Sequence, residues 1–133
     1  KPVSLTDIRV PIFAVSTERD HVAPWRSVYK IHLLVDTEVT FVLTSGGHNA
    51  GIVSEPGHPG RIYRMGTRKE RDTYMDPESW TVTTQPREGS WWEAWEAWLS
   101  ERSGIMSAPP QTGAPRKGYV PLDDAPGLYV MQQ

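Results

Sequence analysis

Two apolar, β-rich runs separated by one stretch of helical spacing constrain the fold more than any other feature. The first, VPIFAVST (10–17), is apolar on both parities. Such a run reads as a strand covered on both faces, as in a parallel sheet. The second, VTFVLT (39–44), is also rich in β-branched residues. Between them, PWRSVYKIHLLV (24–35) sets Trp25, Val28, Tyr29 and His32, then Ile31, Leu34 and Val35, at helical intervals. Pro24 suits the first turn of a helix, where its missing amide costs nothing. Strand, helix, strand with short connections predicts a βαβ unit, its strands parallel and joined by a right-handed crossover.

A chain of 133 residues is long enough for one domain with a real core. Its net charge of −2 gives no electrostatic footprint for nucleic acid or for an anionic membrane. The apolar runs are far shorter than a membrane span, and no charged-then-apolar leader opens the chain. A cytoplasmic location is expected. The chain has no cysteine, which excludes disulfides, thiolate metal sites and a cysteine nucleophile from this segment. No pair among His21, His32, His48 and His58 has metal-ligand spacing, so no metal is expected.

Beyond the second run the pattern weakens. Residues 54–89 read as an irregular surface excursion, with RIYRMGTR (61–68) and WTVTT (80–84) as possible short strands. TRKERD (67–72) reads as a solvated charge run. Regularity returns at GSWWEAWEAWLSERSG, where Ser90 and Glu93 have capping-box spacing and Trp91, Trp92, Trp95, Trp98 and Leu99 follow at helical intervals. This helix is expected to lie against the sheet, and Gly104 to end it. Residues 1–104 are thus one body, and 105–133 form a Pro/Gly-rich extended tail.

Asp20 falls just past the first strand and His48 just past the second. Ligands and reactive groups in open parallel α/β sheets gather at the carboxyl ends of the strands. An acid that orients a histidine, which in turn acts as base toward a nucleophile, is the triad arrangement. The glycines around His48 allow a sharp turn that points the ring back over the sheet edge. The bland alternative, on spacing alone equally supported, makes Asp20 a helix cap and His48 an ordinary loop residue. The triad reading lacks its third member, because neither G-x-S-x-G nor cysteine occurs here. With the polar opening at Lys1, this predicts a segment of a larger domain.

RDHVAPW (19–25), FVLTSGGHNAG (41–51), GSWWEAWEAWL (89–99) and APGLYV (125–130) together resemble, in order, the C-terminal part of polyhydroxyalkanoate synthases, also called poly(3-hydroxyalkanoate) polymerases. Asn49 departs from the pattern, standing where an apolar residue is more usual. The resemblance implies the C-terminal portion of an α/β-hydrolase fold. It implies transfer of an (R)-3-hydroxyacyl group from coenzyme A to a growing polyester, with no cofactor beyond the thioester substrate. It implies Asp20 and His48 as catalytic acid and base, with the nucleophilic cysteine upstream. Asp20 would orient His48 or help activate the attacking 3-hydroxyl. His21 and Trp25 belong to the same motif and are candidates for a substrate channel, though packing of the Asp20 loop is the favoured reading of Trp25 and a helix start suits His21 at least as well.

Three readings compete: the polyester synthase segment, the tail of an esterase with an upstream serine, and a non-catalytic interaction module of the same fold. The first implies 3-hydroxyacyl-CoA and polyester as partners, with the surface of polyester granules as a place of action. Cutting such a sheet exposes an edge and an apolar face, so self-association of the segment is expected.

Overall fold

The computed structural model describes residues 2–132. One sheet holds β1 (Ile12–Thr17), β2 (Val39–Thr44), β3 (Ile62–Arg68) and β4 (Pro86–Glu88), in that spatial order. β1 and β2 are parallel, with Ile12 opposite Val39 and Thr17 opposite Thr44. β3 and β4 then run antiparallel to their neighbours. The chain is therefore a mixed α/β protein built on the expected strand–helix–strand unit.

The crossover differs from the single helix expected. It comprises α1 (Trp25–Tyr29) and α2 (Ile31–Leu34). Lys30 separates them, its amide turning back to the Ser27 carbonyl at 3.3 Å, the tighter three-residue closure typical of helix ends.

Residues 54–89 are not an irregular excursion: they carry β3, β4 and α3 (Pro77–Thr83). RIYRMGTR is a strand as read, but WTVTT is mostly helical. The cause lies just upstream. Asp76 is the N-cap, its carboxylate accepting the Ser79 amide at 2.9 Å, and Pro77 occupies the first turn. Burial of Trp80, 7% exposed, then outweighs the β propensity of the threonines and valine.

Each sheet face carries its own aromatic cluster. On one, Trp25, Tyr29 and Trp80 pack with Phe41 and Leu43. On the other, Trp91 packs with Val42 and Tyr63, joined by Phe13, Val15 and Met65. β2 alternates its side chains between the two and is buried throughout. Fully burying a valine, leucine or phenylalanine side chain is worth about 1.5–3 kcal/mol, and Val39, Phe41, Val42 and Leu43 make β2 the spine of the fold. β1 was expected to be covered on both faces, but only Ser16 and Thr17 are buried. It is an edge strand, and Ile12–Val15 stay half-exposed.

α4 (Trp91–Arg102) is capped by Ser90, whose Oγ accepts the Trp92 amide at 3.0 Å. Glu93 does not return the bond that a capping box requires, and the helix ends at Arg102, before Gly104. Only part of its tryptophan stripe meets the sheet: the Phe13 ring lies 6.4 Å from Trp91 and 5.4 Å from Trp98, while Trp95 is 42% exposed.

From Gly104 onward the described residues form a separate unit. Within it Ala114 and Tyr119 make one antiparallel bridge, and Gly113, at φ +74°, comes so close to the Tyr119 carbonyl that a Cβ there would lie 2.8 Å from it. No helix among the described residues is long and apolar enough to cross a membrane.

Candidate functional site

The parallel pairing of β1 and β2 puts the two loops that leave their carboxyl ends side by side. Backbone bonds lock them together: Glu18 N–H donates to the Thr44 carbonyl at 2.9 Å, and Arg19 N–H to that of Gly46 at 3.0 Å. Two glycines make this possible. Gly46 has φ +112°, in the left-handed region, and a Cβ there would lie 2.8 Å from the Gly51 Cα. A Cβ on Gly51 would lie 2.5 Å from Thr17 Cγ2. The segment after Gly46 therefore folds down onto the end of β1.

Asp20 and His48 meet on this platform, the imidazole Nδ1 lying 2.8 Å from Asp20 Oδ2. The other carboxylate oxygen accepts two backbone amides, Val22 at 2.8 Å and Ala23 at 2.9 Å. So Asp20 holds both the histidine and the turn at Val22 and Ala23, but it does not cap α1, whose N-cap is Pro24 with no side-chain bond. The Ala23 amide and the His48 imidazole, with the Val22 amide, lower its pKa to about 2 against a smaller opposing effect of desolvation.

The Asp20 side chain is 9% exposed and that of His48 46%. An ionised carboxylate only accepts, so Nδ1 carries the hydrogen, and in the neutral imidazole Nε2 then keeps a lone pair. No hydrogen bond among the described residues engages Nε2. An oriented, half-exposed imidazole with a free lone pair can take a proton from an incoming group.

The other residues singled out lie elsewhere. His21 is exposed and makes no side-chain hydrogen bond among the described residues. Trp25 is 8% exposed and part of the core, with the Arg26 guanidinium 4.6 Å above its ring. His32 is buried beside Tyr29, and burial followed by the charge of Arg68 lowers its pKa to about 4. His58 contacts the Pro59 carbonyl and Arg61. A cavity of about 290 Å³, walled in part by Tyr29, His32, Arg68 and Trp80, includes neither Asp20 nor His48. No group of three or more His, Cys, Asp or Glu among the described residues is placed to hold a metal. The amides of Val22 and Ala23 and the close approach of Gly51 to Thr17 were not foreseen. A carboxylate two residues before an apolar amide pair is the one signal of them that the sequence carries.

No protein-family model matches the chain. It is 35% identical over 130 residues to poly(3-hydroxyalkanoate) polymerase 2 of Ectopseudomonas oleovorans, an alignment covering 98% of this chain and 22% of that protein. It is 34% identical over 137 residues to the polymerase subunit PhaC of Rhizobium etli, covering 100% and 20%. With PhaC of Cupriavidus necator the identity is 31% over 129 residues, covering 97% and 21%. The chain is a relative of the poly(3-hydroxyalkanoate) polymerases. It spans about a fifth of their length. The polymerase resemblance thus runs through the β1–β2 unit, both locked loops, α3 and α4 alike.

Proposed function

We propose that this chain is the C-terminal part of an α/β-hydrolase-type polyhydroxyalkanoate synthase, and that it supplies the base and the acid of a Cys-His-Asp triad. The observation that carries the proposal is the 2.8 Å contact between His48 Nδ1 and Asp20 Oδ2 at the carboxyl ends of adjacent parallel strands. The polymerase names of its relatives support the reaction class.

In this reading His48 Nε2 takes the proton of a cysteine thiol supplied from outside this chain. The thiolate attacks the thioester carbonyl of a 3-hydroxyacyl-CoA, and the imidazolium returns its proton as coenzyme A leaves. His48 then takes the proton of the 3-hydroxyl that attacks the acyl-cysteine; the ester bond forms as the carbon–sulfur bond breaks, the departing cysteine thiolate recovers the proton from the imidazolium, and the polyester is one unit longer. Asp20 holds the productive tautomer and stabilises the imidazolium formed in each half. No cofactor enters beyond the thioester substrate, and the protein works at the surface of the polyester it makes.

The test is His48→Ala in a full-length polymerase carrying this segment, followed by release of coenzyme A from 3-hydroxybutyryl-CoA. Loss of a positioned base removes roughly 10²–10⁴-fold of rate. An unchanged rate sinks the assignment. The nucleophile decides against an esterase: thiol-directed alkylation of the full-length protein must abolish activity, which a serine enzyme would survive.

A further inference from the structure

The turn that carries His48 is closed from within and from without. Gly51 N–H donates to the Gly47 carbonyl at 3.0 Å, and the Ile52 and Val53 amides donate to that of Asn49 at 3.1 and 3.0 Å. Like the last turn of a helix, this leaves carbonyls with no partner inside the turn. They are taken by consecutive residues at the start of α4. Trp91 Nε1 donates to the Gly51 carbonyl at 3.2 Å, and Trp92 Nε1 to that of Ile52 at 2.9 Å. Ser90 Oγ donates to the carbonyl of Ser54. Indole N–H groups donate only, so each tryptophan has one polar use, and both aim it at this turn.

From this geometry we infer that Ser90, Trp91 and Trp92 are positioning residues for His48, clamping its turn against the end of β1. The inference rests on the proposed role of His48 as base. Gly46 fixes the turn on one side, through the Arg19 amide, and the clamp fixes the other. The imidazole sits between, so freedom at Gly51 and Ile52 becomes freedom of the ring against Asp20. The two tryptophans are not equivalent. Trp91 is 6% exposed and belongs to the core, so its loss disturbs packing as well. Trp92 is half-buried and is the cleaner probe.

The experiment replaces Trp92 by Phe in a full-length polymerase carrying this segment. Phe keeps an aromatic ring and removes the donor. Steady-state release of coenzyme A gives kcat and KM, and nuclear magnetic resonance of ¹⁵N-histidine-labelled protein reports the His48 Nδ1 proton shared with Asp20. One lost hydrogen bond predicts a kcat lowered about tenfold with KM unchanged, together with faster exchange of that proton. Trp95→Phe, on the exposed side of the same helix, is expected to change neither. If Trp92→Phe unfolds the protein, β-(3-benzothienyl)alanine at the same position removes the N–H at nearly constant shape.

An unaltered kcat and an unaltered Nδ1 proton in the folded variant overturn the clamp. His48→Ala measured alongside separates the two claims. If it leaves activity intact, the catalytic reading fails. If it abolishes activity while the Trp92 variant behaves as wild type, the clamp alone fails.

Discussion

Asp20→Asn is the most informative single change, because it alters almost no volume and places one donor where an acceptor stood. The amide has two orientations, and the geometry ranks them. With its oxygen toward Val22 and Ala23 it keeps two backbone bonds, at 2.8 and 2.9 Å, and turns its NH₂ toward His48 Nδ1. The reverse orientation keeps the histidine bond but sets NH₂ against two amides. Keeping two bonds at the expense of one wins. Nδ1 must then accept, the ring hydrogen moves to Nε2, and the lone pair needed to take a proton is gone. Restoring the productive tautomer sets two donors 2.8 Å apart, at about 1–3 kcal/mol for the unmade bond. Losing the carboxylate that steadies the imidazolium adds to this. The sum falls within the roughly 10²–10⁴-fold attributed to general-base catalysis. The same geometry assigns the step affected. Both Asp20 oxygens are engaged and the side chain is 9% exposed, so a 3-hydroxyl has no approach to it except through His48. Acylation and elongation should therefore slow together. In a rapid-quench assay of the full-length variant with labelled 3-hydroxyacyl-CoA, no acyl-enzyme should build up. Fast acylation followed by a stalled acyl-enzyme refutes this reasoning and makes Asp20 the activator of the hydroxyl.

Three further outcomes are expected. His32 has its folded pKa lowered from 6.5 to about 4, so the unfolded chain binds the extra proton first. Stability present above pH 6.5 is lost as pH falls toward 4, by about 3 kcal/mol, and His32→Phe should flatten this part of a denaturation-against-pH curve; an equal slope in the variant contradicts it. Gly51→Ala puts a methyl 2.5 Å from Thr17 Cγ2 and 2.8 Å from the Ser45 carbonyl. It should therefore cut activity at least as much as Trp92→Phe, and Thr17→Ser should partly restore it; normal turnover in the single variant argues against the packing described. The isolated chain leaves the outer edge of β1 unpaired, with Val10 67% and Leu33 59% exposed, and should associate with rising concentration; a constant monomer mass by light scattering at millimolar concentration runs against this.

What the sequence makes legible here is what neighbouring residues encode. Two β-rich runs, a helical interval and turn-formers after each run suffice to place Asp20 and His48 on adjacent loops. The rest depends on contacts between distant segments. The pairing of β3 with β2 joins residues about a helical crossover apart, and no string near Ile62 announces it. WTVTT misleads because threonine and valine favour strands, whereas the Asp76-Pro77 start and the slot for Trp80 between Tyr29 and Phe41 decide otherwise. The spacing of the tryptophans in α4 reveals a helix but not its exposed side: Trp91 and Trp98 meet Phe13 while Trp95 does not. The polar use of Trp91 and Trp92 is invisible to a pattern that counts them only as apolar.

The site is rigid on the side this chain supplies and open on the other. Asp20 is tied by two amides, and the turn of His48 is tied through Gly46 and through α4. Ordering these groups has already cost its conformational entropy on folding, so none is lost when a nucleophile arrives. Approach is limited to the Nε2 side, because Asp20 covers Nδ1. A thiol within about 2.6–3.2 Å of Nε2 must stand beyond the carboxyl ends of β1 and β2. The 46% of the His48 side chain that is exposed is the area such a group would cover. In the proposed triad, a segment docking there would complete the site without moving either residue. The approach of the nucleophile would then depend on what meets the carboxyl ends of β1 and β2, while the orientation of the imidazole is set by Asp20 within this chain.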